Sequence, residues 1–136
     1  LPTPLDPQQL HNERILFVDD EDILAEMGQV MLERLGYVVT VSRNSLEALH
    51  TFQAQPDQFD LVITDQTMPG MTGMDMARRM LQIRPGMPII LCTGFSNLVD
   101  EELARRCGIK SFMMKPLARK ELAAALRQVL DDCARP

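Results

Sequence analysis

Five short apolar runs recur along the chain, each followed by a stretch of helical periodicity. That alternation constrains the fold more than any other feature. The runs are Ile15–Val18, Val38–Val41, Leu61–Thr64, Ile89–Cys92 and Ser111–Met114. Continuous apolar runs of this length predict strands covered on both faces, as in a parallel sheet. Five helices are expected after them. Asp22–Leu35 carries Ile23, Met27, Val30 and Met31 on one stripe, with Gly36 as its C-terminal stop. Ser45–Gln55 carries Leu46, Leu49 and Phe52, with Asn44 or Ser45 as N-cap and Pro56 as stop. Gly73–Arg84 carries Met76, Ala77, Met80 and Leu81 and ends before Pro85. Asn97–Cys107 carries Val99, Leu103 and Cys107, and Ala118–Leu130 carries Leu122, Ala125, Leu126, Val129 and Leu130. The methionines that follow these stripes are expected to fill the core.

Repeated strand–helix units predict an α/β, doubly wound sandwich: a five-stranded parallel sheet with helices on both faces. Right-handed crossovers leave few strand orders. The expected order is 2-1-3-4-5, with the switch point between the first and third strands; periodicity alone does not fix that order, and the placement of the site residues below selects it. At 136 residues the chain is sized for one domain. Residues 1–12, with three prolines and no period, read as a linker or tail. The globular unit is expected over 13–132, with a short tail at 133–136. The net charge of −5 without a Lys/Arg run argues against nucleic-acid binding by this domain alone. No apolar stretch approaches the roughly 20 residues of a membrane span, and no secretory leader is visible, so a cytoplasmic domain without membrane contact is expected. Cys92, Cys107 and Cys133 lack metal-site spacing and read as reduced thiols, and His11 and His50 as surface residues.

Ligands of such sheets bind at the carboxyl ends of the strands. The first strand runs into Asp19, Asp20 and Glu21, the third into Asp65, the fourth into Thr93 and the fifth into Lys115–Pro116. If the first and third strands are neighbours, three carboxylates converge. Two carboxylates about 4 Å apart repel by about 4 kcal/mol at an effective dielectric near 20, so a proton or a cation must sit among them. An all-oxygen site with open positions suits Mg²⁺. Lys115 then binds one phosphoryl oxygen and the Thr93 hydroxyl donates to another, which makes a phosphoryl-transfer site.

These residues resemble the receiver domains of two-component response regulators, over about Arg14 to Leu130. The resemblance rests on Ile15-Leu16-Phe17-Val18-Asp19-Asp20-Glu21, on Leu61-Val62-Ile63-Thr64-Asp65 with Met68-Pro69-Gly70-Met71 and Gly73, on Ile89-Ile90-Leu91-Cys92-Thr93-Gly94, and on Lys115-Pro116. It implies the flavodoxin-like receiver fold and a phosphoacceptor function in a phosphorelay. Asp65 would take the phosphoryl group from a histidine kinase or phosphotransfer domain. Asp20, Asp65 and the Thr67 backbone carbonyl would hold Mg²⁺, with Asp19 assisting through water. Thr93 and Lys115 would contact the phosphoryl group. Phe112 fits the switch aromatic that reshapes the face of the fourth helix, fifth strand and fifth helix, and Lys115–Pro116 would be cis. Gly94 and Phe112 depart from the commoner Ala and Tyr, which bears on the size of the switching motion.

The segments Leu91-Cys92-Thr93-Gly94-Phe95-Ser96 and Gly108–Leu117 also look like the C-terminal receiver of a hybrid sensor histidine kinase, as does the Leu1-Pro2 opening. The chain is thus expected to be a module of such a kinase or of a response regulator. No stand-alone turnover is expected beyond self-phosphorylation and autodephosphorylation. Arg119, Lys120, Arg127 and Gln128 are expected on the exposed side of the last helix, a surface open to a partner or to homodimerisation. Two other classes fit less well. A Mg²⁺-dependent phosphohydrolase or nuclease would need an Asp-x-Asp signature after the first strand, for an aspartyl nucleophile, and a lid insertion, neither of which is expected here. A binding module that had lost phosphorylation would not keep all five of Asp19, Asp20, Asp65, Thr93 and Lys115.

Overall fold

A computed structural model describes residues 13–94 and 101–134. Residues 1–12 with His11, Phe95, Val99 and the expected start of the fourth helix lie outside them. The elements are β1 (Arg14–Val18), α1 (Asp22–Arg34), β2 (Val38–Ser42), α2 (Ser45–Ala54), a 3-10 turn (Pro56–Gln58), β3 (Leu61–Asp65), α3 (Gly73–Ile83), β4 (Ile89–Thr93), α4 (Glu101–Arg106), β5 (Ser111–Met114) and α5 (Arg119–Ala134). Each strand agrees with its expected run to within one residue at either end. All pairings are parallel, in the order β2-β1-β3-β4-β5.

The twofold alternation of side chains along each strand sorts the core into two layers. Ile15, Phe17, Leu61, Ile63, Ile90, Cys92 and Met113 pack toward α1 and α5, against Leu32, Leu122 and Leu126. Leu16, Val18, Val62, Ile89 and Leu91 pack toward α2, α3 and α4, against Phe52, Met76, Met80 and Ala104. The strands β3 and β4 are buried throughout, whereas β2 and β5 are only partly covered. The expectation of full cover therefore fails at the two edges, where a strand has a neighbour on one side only. Among the described residues no helix is long and apolar enough to cross a membrane.

The stripes of α3 and α5 face the core as expected, whereas α1, α2 and α4 differ in part. In α1 most of the expected stripe faces out: Ile23, Met27 and Val30 are 72%, 56% and 44% exposed, and of the four only Met31 packs against the core. The buried residues are Ala25, Gly28 and Leu32. Gly28 explains the choice, because a Cβ there would strike the Phe17 ring. The helix packs on its small residues and lies close to the sheet, which turns the bulky ones outward. In α2, Leu46 is exposed, and Ser45, Ala48, Leu49 and Phe52 are buried. Asn44 caps this helix, its side chain accepting from the Leu46 and Glu47 amides at 2.8 and 3.1 Å. In α4, Ala104 is buried and Leu103 exposed. Met27 and Met114 are likewise exposed, while Met68, Met71, Met76, Met80, Met87 and Met113 do fill the core.

Two tethers fix the helices. Arg127 of α5 is not a free surface cation: it donates to Glu13 at 3.0 Å, to the Tyr37 hydroxyl at 3.3 Å and to Asp131 at 2.7 Å. Arg84 at the end of α3 donates to the Pro56 and Phe59 carbonyls at 3.0 and 2.6 Å. The tightest backbone approach is at Gly73, the first residue of α3, where a Cβ would meet the Asp65 carbonyl oxygen. Gly73→Val is expected to lower stability by roughly 3 kcal/mol, the upper end of overpacking costs. Urea unfolding would measure this, and a change below about 0.5 kcal/mol would show that the helix shifts freely.

Candidate active site

The carboxyl ends of β1, β3, β4 and β5 bring the expected residues to one edge of the sheet. Asp65 closes β3 and pairs in register with Cys92. It continues the Leu61–Ile63 alternation, as Asp19 continues Ile15–Phe17 and Lys115 continues Met113. All three therefore leave the sheet on the α1–α5 side. Thr93 continues Ile89–Leu91 and belongs to the opposite side, in register with Met114 of β5.

Carboxylate oxygens of Asp19, Asp20 and Asp65 lie within 4.8 Å of one another. The Lys115 ammonium stands 2.9 Å from Asp65 Oδ2 and 3.2 Å from Asp19 Oδ2. Asp19 Oδ1 accepts the Glu21 amide at 3.0 Å, so Asp19 serves the turn into α1 as well as the cluster. Asp20 is the most open of the three carboxylates, and Asp65 is 7% exposed. Burial raises the Asp65 pKa above its ordinary value, and Lys115 offsets only part of that. Burial works against the Lys115 ammonium, but its hydrogen bond to Asp65 and the charges of Asp19 and Asp65 outweigh burial and raise its pKa. Beneath the site, burial pushes the Cys92 thiol up to about 12, which keeps it protonated.

With all three carboxylates ionised, one ammonium leaves two negative charges uncompensated. Each carboxylate pair at this spacing repels by about 3–4 kcal/mol at a dielectric near 20. Hard oxygen donors in excess negative charge, with room for water, fit a small divalent cation.

Sequence reasoning missed Gln66, which frames the loop that follows Asp65. Its amide donates to the Cys92 carbonyl at 3.0 Å, its carbonyl accepts from Gly73 at 3.0 Å, and its side chain accepts from the Met74 amide at 2.9 Å. Thr67 and the Met68–Met71 turn are held between these anchors. No spacing rule would have found this residue. Lys115–Pro116 is cis, as expected. Phe112 is half-buried in β5, in register with Leu91, and the Arg105 guanidinium lies 5.2 Å from its ring centre. Asp20-Glu21-Asp22 has the Asp-x-Asp spacing of aspartyl phosphohydrolases, but Asp22 is exposed and pairs with Arg43 at 2.8 Å, outside the cluster. Beside the cluster an apolar cavity of about 240 Å³ opens between α1 and the start of α5, lined by Phe17, Leu24, Met27, Met31 and Leu117 and edged by Asp19 and Lys115.

A parallel sheet in this order with an acidic cluster and a lysine at its strand ends defines a class of α/β domain that handles anions through a cation. The chain belongs to the response regulator receiver domain family, whose pattern matches residues 15–127. It is a receiver domain of two-component systems, for which accepting a phosphoryl group is the general property. The DNA-binding response regulator MtrA of Mycobacterium tuberculosis is 37% identical over 116 residues, 85% of this chain and 49% of that protein. The transcriptional regulatory protein CseB of Streptomyces coelicolor is 32% identical over the same share of this chain and 48% of its own length. The chain thus spans about half the length of the curated relatives it matches. Among solved structures, a receiver domain protein from Clostridium thermocellum superposes with TM-score 0.84 at 32% identity, covering 88% of this chain and 95% of that one. The receiver domain of a Pseudomonas aeruginosa sensor histidine kinase, with magnesium coordinated in its active site cleft, has TM-score 0.78 at 25% identity, covering 89% and 99%.

Proposed function

We propose that Asp65 is the phosphoacceptor of this receiver domain and that Mg²⁺ is its cofactor. The observation that carries this is the Asp65 carboxylate, set 2.9 Å from an ammonium and inside a three-carboxylate cluster. Asp20, Asp65 and the Thr67 carbonyl would hold the ion, with Asp19 assisting through water. Bound there, Mg²⁺ would neutralise charge on the phosphoryl oxygens. A carboxylate oxygen of Asp65 attacks phosphorus, the phosphorus–nitrogen bond of a phosphohistidine breaks, and the imidazole leaves with the electron pair. Lys115 takes a second phosphoryl oxygen and the Thr93 hydroxyl a third. Thr93 moves toward the new anion, and Phe112, on the same side of the sheet, turns into the space it leaves. The face of α4, β5 and α5 is reshaped.

The partner is a histidine kinase or phosphotransfer domain. Exposed Ile23, Met27 and Val30 form an apolar strip along α1 beside the cleft, which supports docking of a helical partner there. The receiver unit of a cytoplasmic protein runs from 13 through the end of α5 at Ala134, two residues past the expected 132, with a linker or tail at 1–12. Similarity to full-length regulators and to a kinase receiver supports a module of a response regulator or of a hybrid sensor histidine kinase, with any nucleic-acid contact made outside this domain.

Isothermal titration of the metal-free chain should show one Mg²⁺ site. Asp20→Asn should weaken it by at least about 100-fold, the top of the range seen even for outer-shell changes. EDTA should stop phosphoryl uptake from acetyl phosphate. Uptake that persists in EDTA, or an Asp20→Asn variant with unchanged affinity, would remove Mg²⁺ from the reading.

A further inference from the structure

Phe112 has no ring hydroxyl, so no hydrogen bond at the end of its side chain can fix where the ring points. The Arg105 guanidinium of helix α4 lies over the ring, 5.2 Å from its centre. The adjacent Arg106 pairs with Glu102 at 2.8 Å and stays on the helix surface. Arg105 instead reaches over the aromatic face, where a guanidinium is held by the ring quadrupole. We propose that Arg105 is a latch that holds the half-buried Phe112 ring in its resting position in the unphosphorylated protein. The inference rests on the reading that Phe112 turns inward on phosphorylation.

The geometry supplies the coupling. Leu91 and Phe112 are register partners, and Thr93 lies two residues along β4 on the same side. A ring moving toward Thr93 leaves the guanidinium, so phosphorylation must break the latch. In its place over the ring Arg105 also lines a polar cleft with Lys110, Ser111, Gln128 and Asp132. Its release therefore moves a positive charge on the α4–β5–α5 face, the surface a downstream partner would read.

A latch favours the resting state by the strength of its contact. Removing it should tighten binding of a phosphoryl mimic by about two- to fivefold, the factor that corresponds to an exposed cation–π contact. The probe is beryllofluoride with Mg²⁺, titrated into the full chain. Arg105→Ala should bind it about two- to fivefold more tightly than the wild type, with Arg105→Lys in between. In a Phe112→Leu background Arg105→Ala should give no tightening. Loss of a positive charge alone would weaken an anion, so the sign separates the latch from plain electrostatics. Unchanged or weaker binding in Arg105→Ala overturns the proposal, as does equal tightening without the ring. A second readout is the fluorine NMR signal of fluorophenylalanine at 112 in the free protein. It should move in Arg105→Ala toward its position in the beryllofluoride complex. If the wild type takes up no beryllofluoride, the Asp65 reading has failed. The latch is then judged by that signal in the free protein alone, and a signal unmoved by Arg105→Ala rejects it.

Discussion

Asp65→Asn is expected to abolish labelling of the chain by acetyl phosphate and by a phosphorylated kinase, because Asp19, the other carboxylate that touches Lys115, commits its second oxygen to the Glu21 amide. Radiolabel incorporation or intact mass measures it, and undiminished labelling rejects Asp65 as the acceptor. The same substitution has a second expected effect, on stability. Burial raises the Asp65 pKa from its ordinary 3.8. Between that value and the raised one, the folded chain binds more protons than the unfolded chain. The contribution of this group to stability is therefore fully present at low pH and declines as pH rises through that window. Asparagine carries no such dependence. In EDTA at about pH 7, Asp65→Asn should melt at a higher temperature than the wild type, and the gap should close below about pH 4. Mg²⁺ should then stabilise the wild type and not the variant. A variant less stable than wild type at neutral pH would contradict the assignment of Asp65 as a group held at a cost to the fold.

Lys115→Ala is expected to slow phosphoryl uptake by roughly 100- to 1,000-fold, the range seen when one preorganised donor to a developing oxyanion is removed. Acceptor chemistry remains, since Asp65 is intact. The same change should move Mg²⁺ affinity the other way. Lys115 lies 2.9 Å from Asp65 and 3.2 Å from Asp19, so it competes with a cation for the same oxygens. Without it the cluster carries one more uncompensated negative charge and binds Mg²⁺ more tightly. Slower transfer with tighter metal is the signature of an amine that acts on the phosphoryl group. Slower transfer with weaker metal would mean that Lys115 merely holds the site together.

The site was legible in the sequence because strand ends can be read from apolar runs. A run such as Leu61–Thr64 must stop where a charged residue appears, and in a parallel sheet those stops share one edge. Asp19, Asp20, Asp65, Thr93 and Lys115 could thus be gathered without coordinates. The helices were less legible in one respect. Periodicity marks an apolar stripe but not which stripe faces the sheet. In α1 the bulky Ile23–Met27–Val30 stripe competes with the small Ala25–Gly28–Leu32 stripe. The Phe17 ring beneath Gly28 decides for the small one.

What the amino-acid order determined by itself was local: where strands and helices begin, which residues end the strands, and which chemical groups were on offer. The close approach of α3 to the Asp65 carbonyl, the Gln66 frame, the Arg127 tether and the Arg105–Phe112 contact belong to the tertiary structure. Each joins residues of different elements or loops through packing shape, and side-chain shape across a gap leaves no periodic mark along the chain.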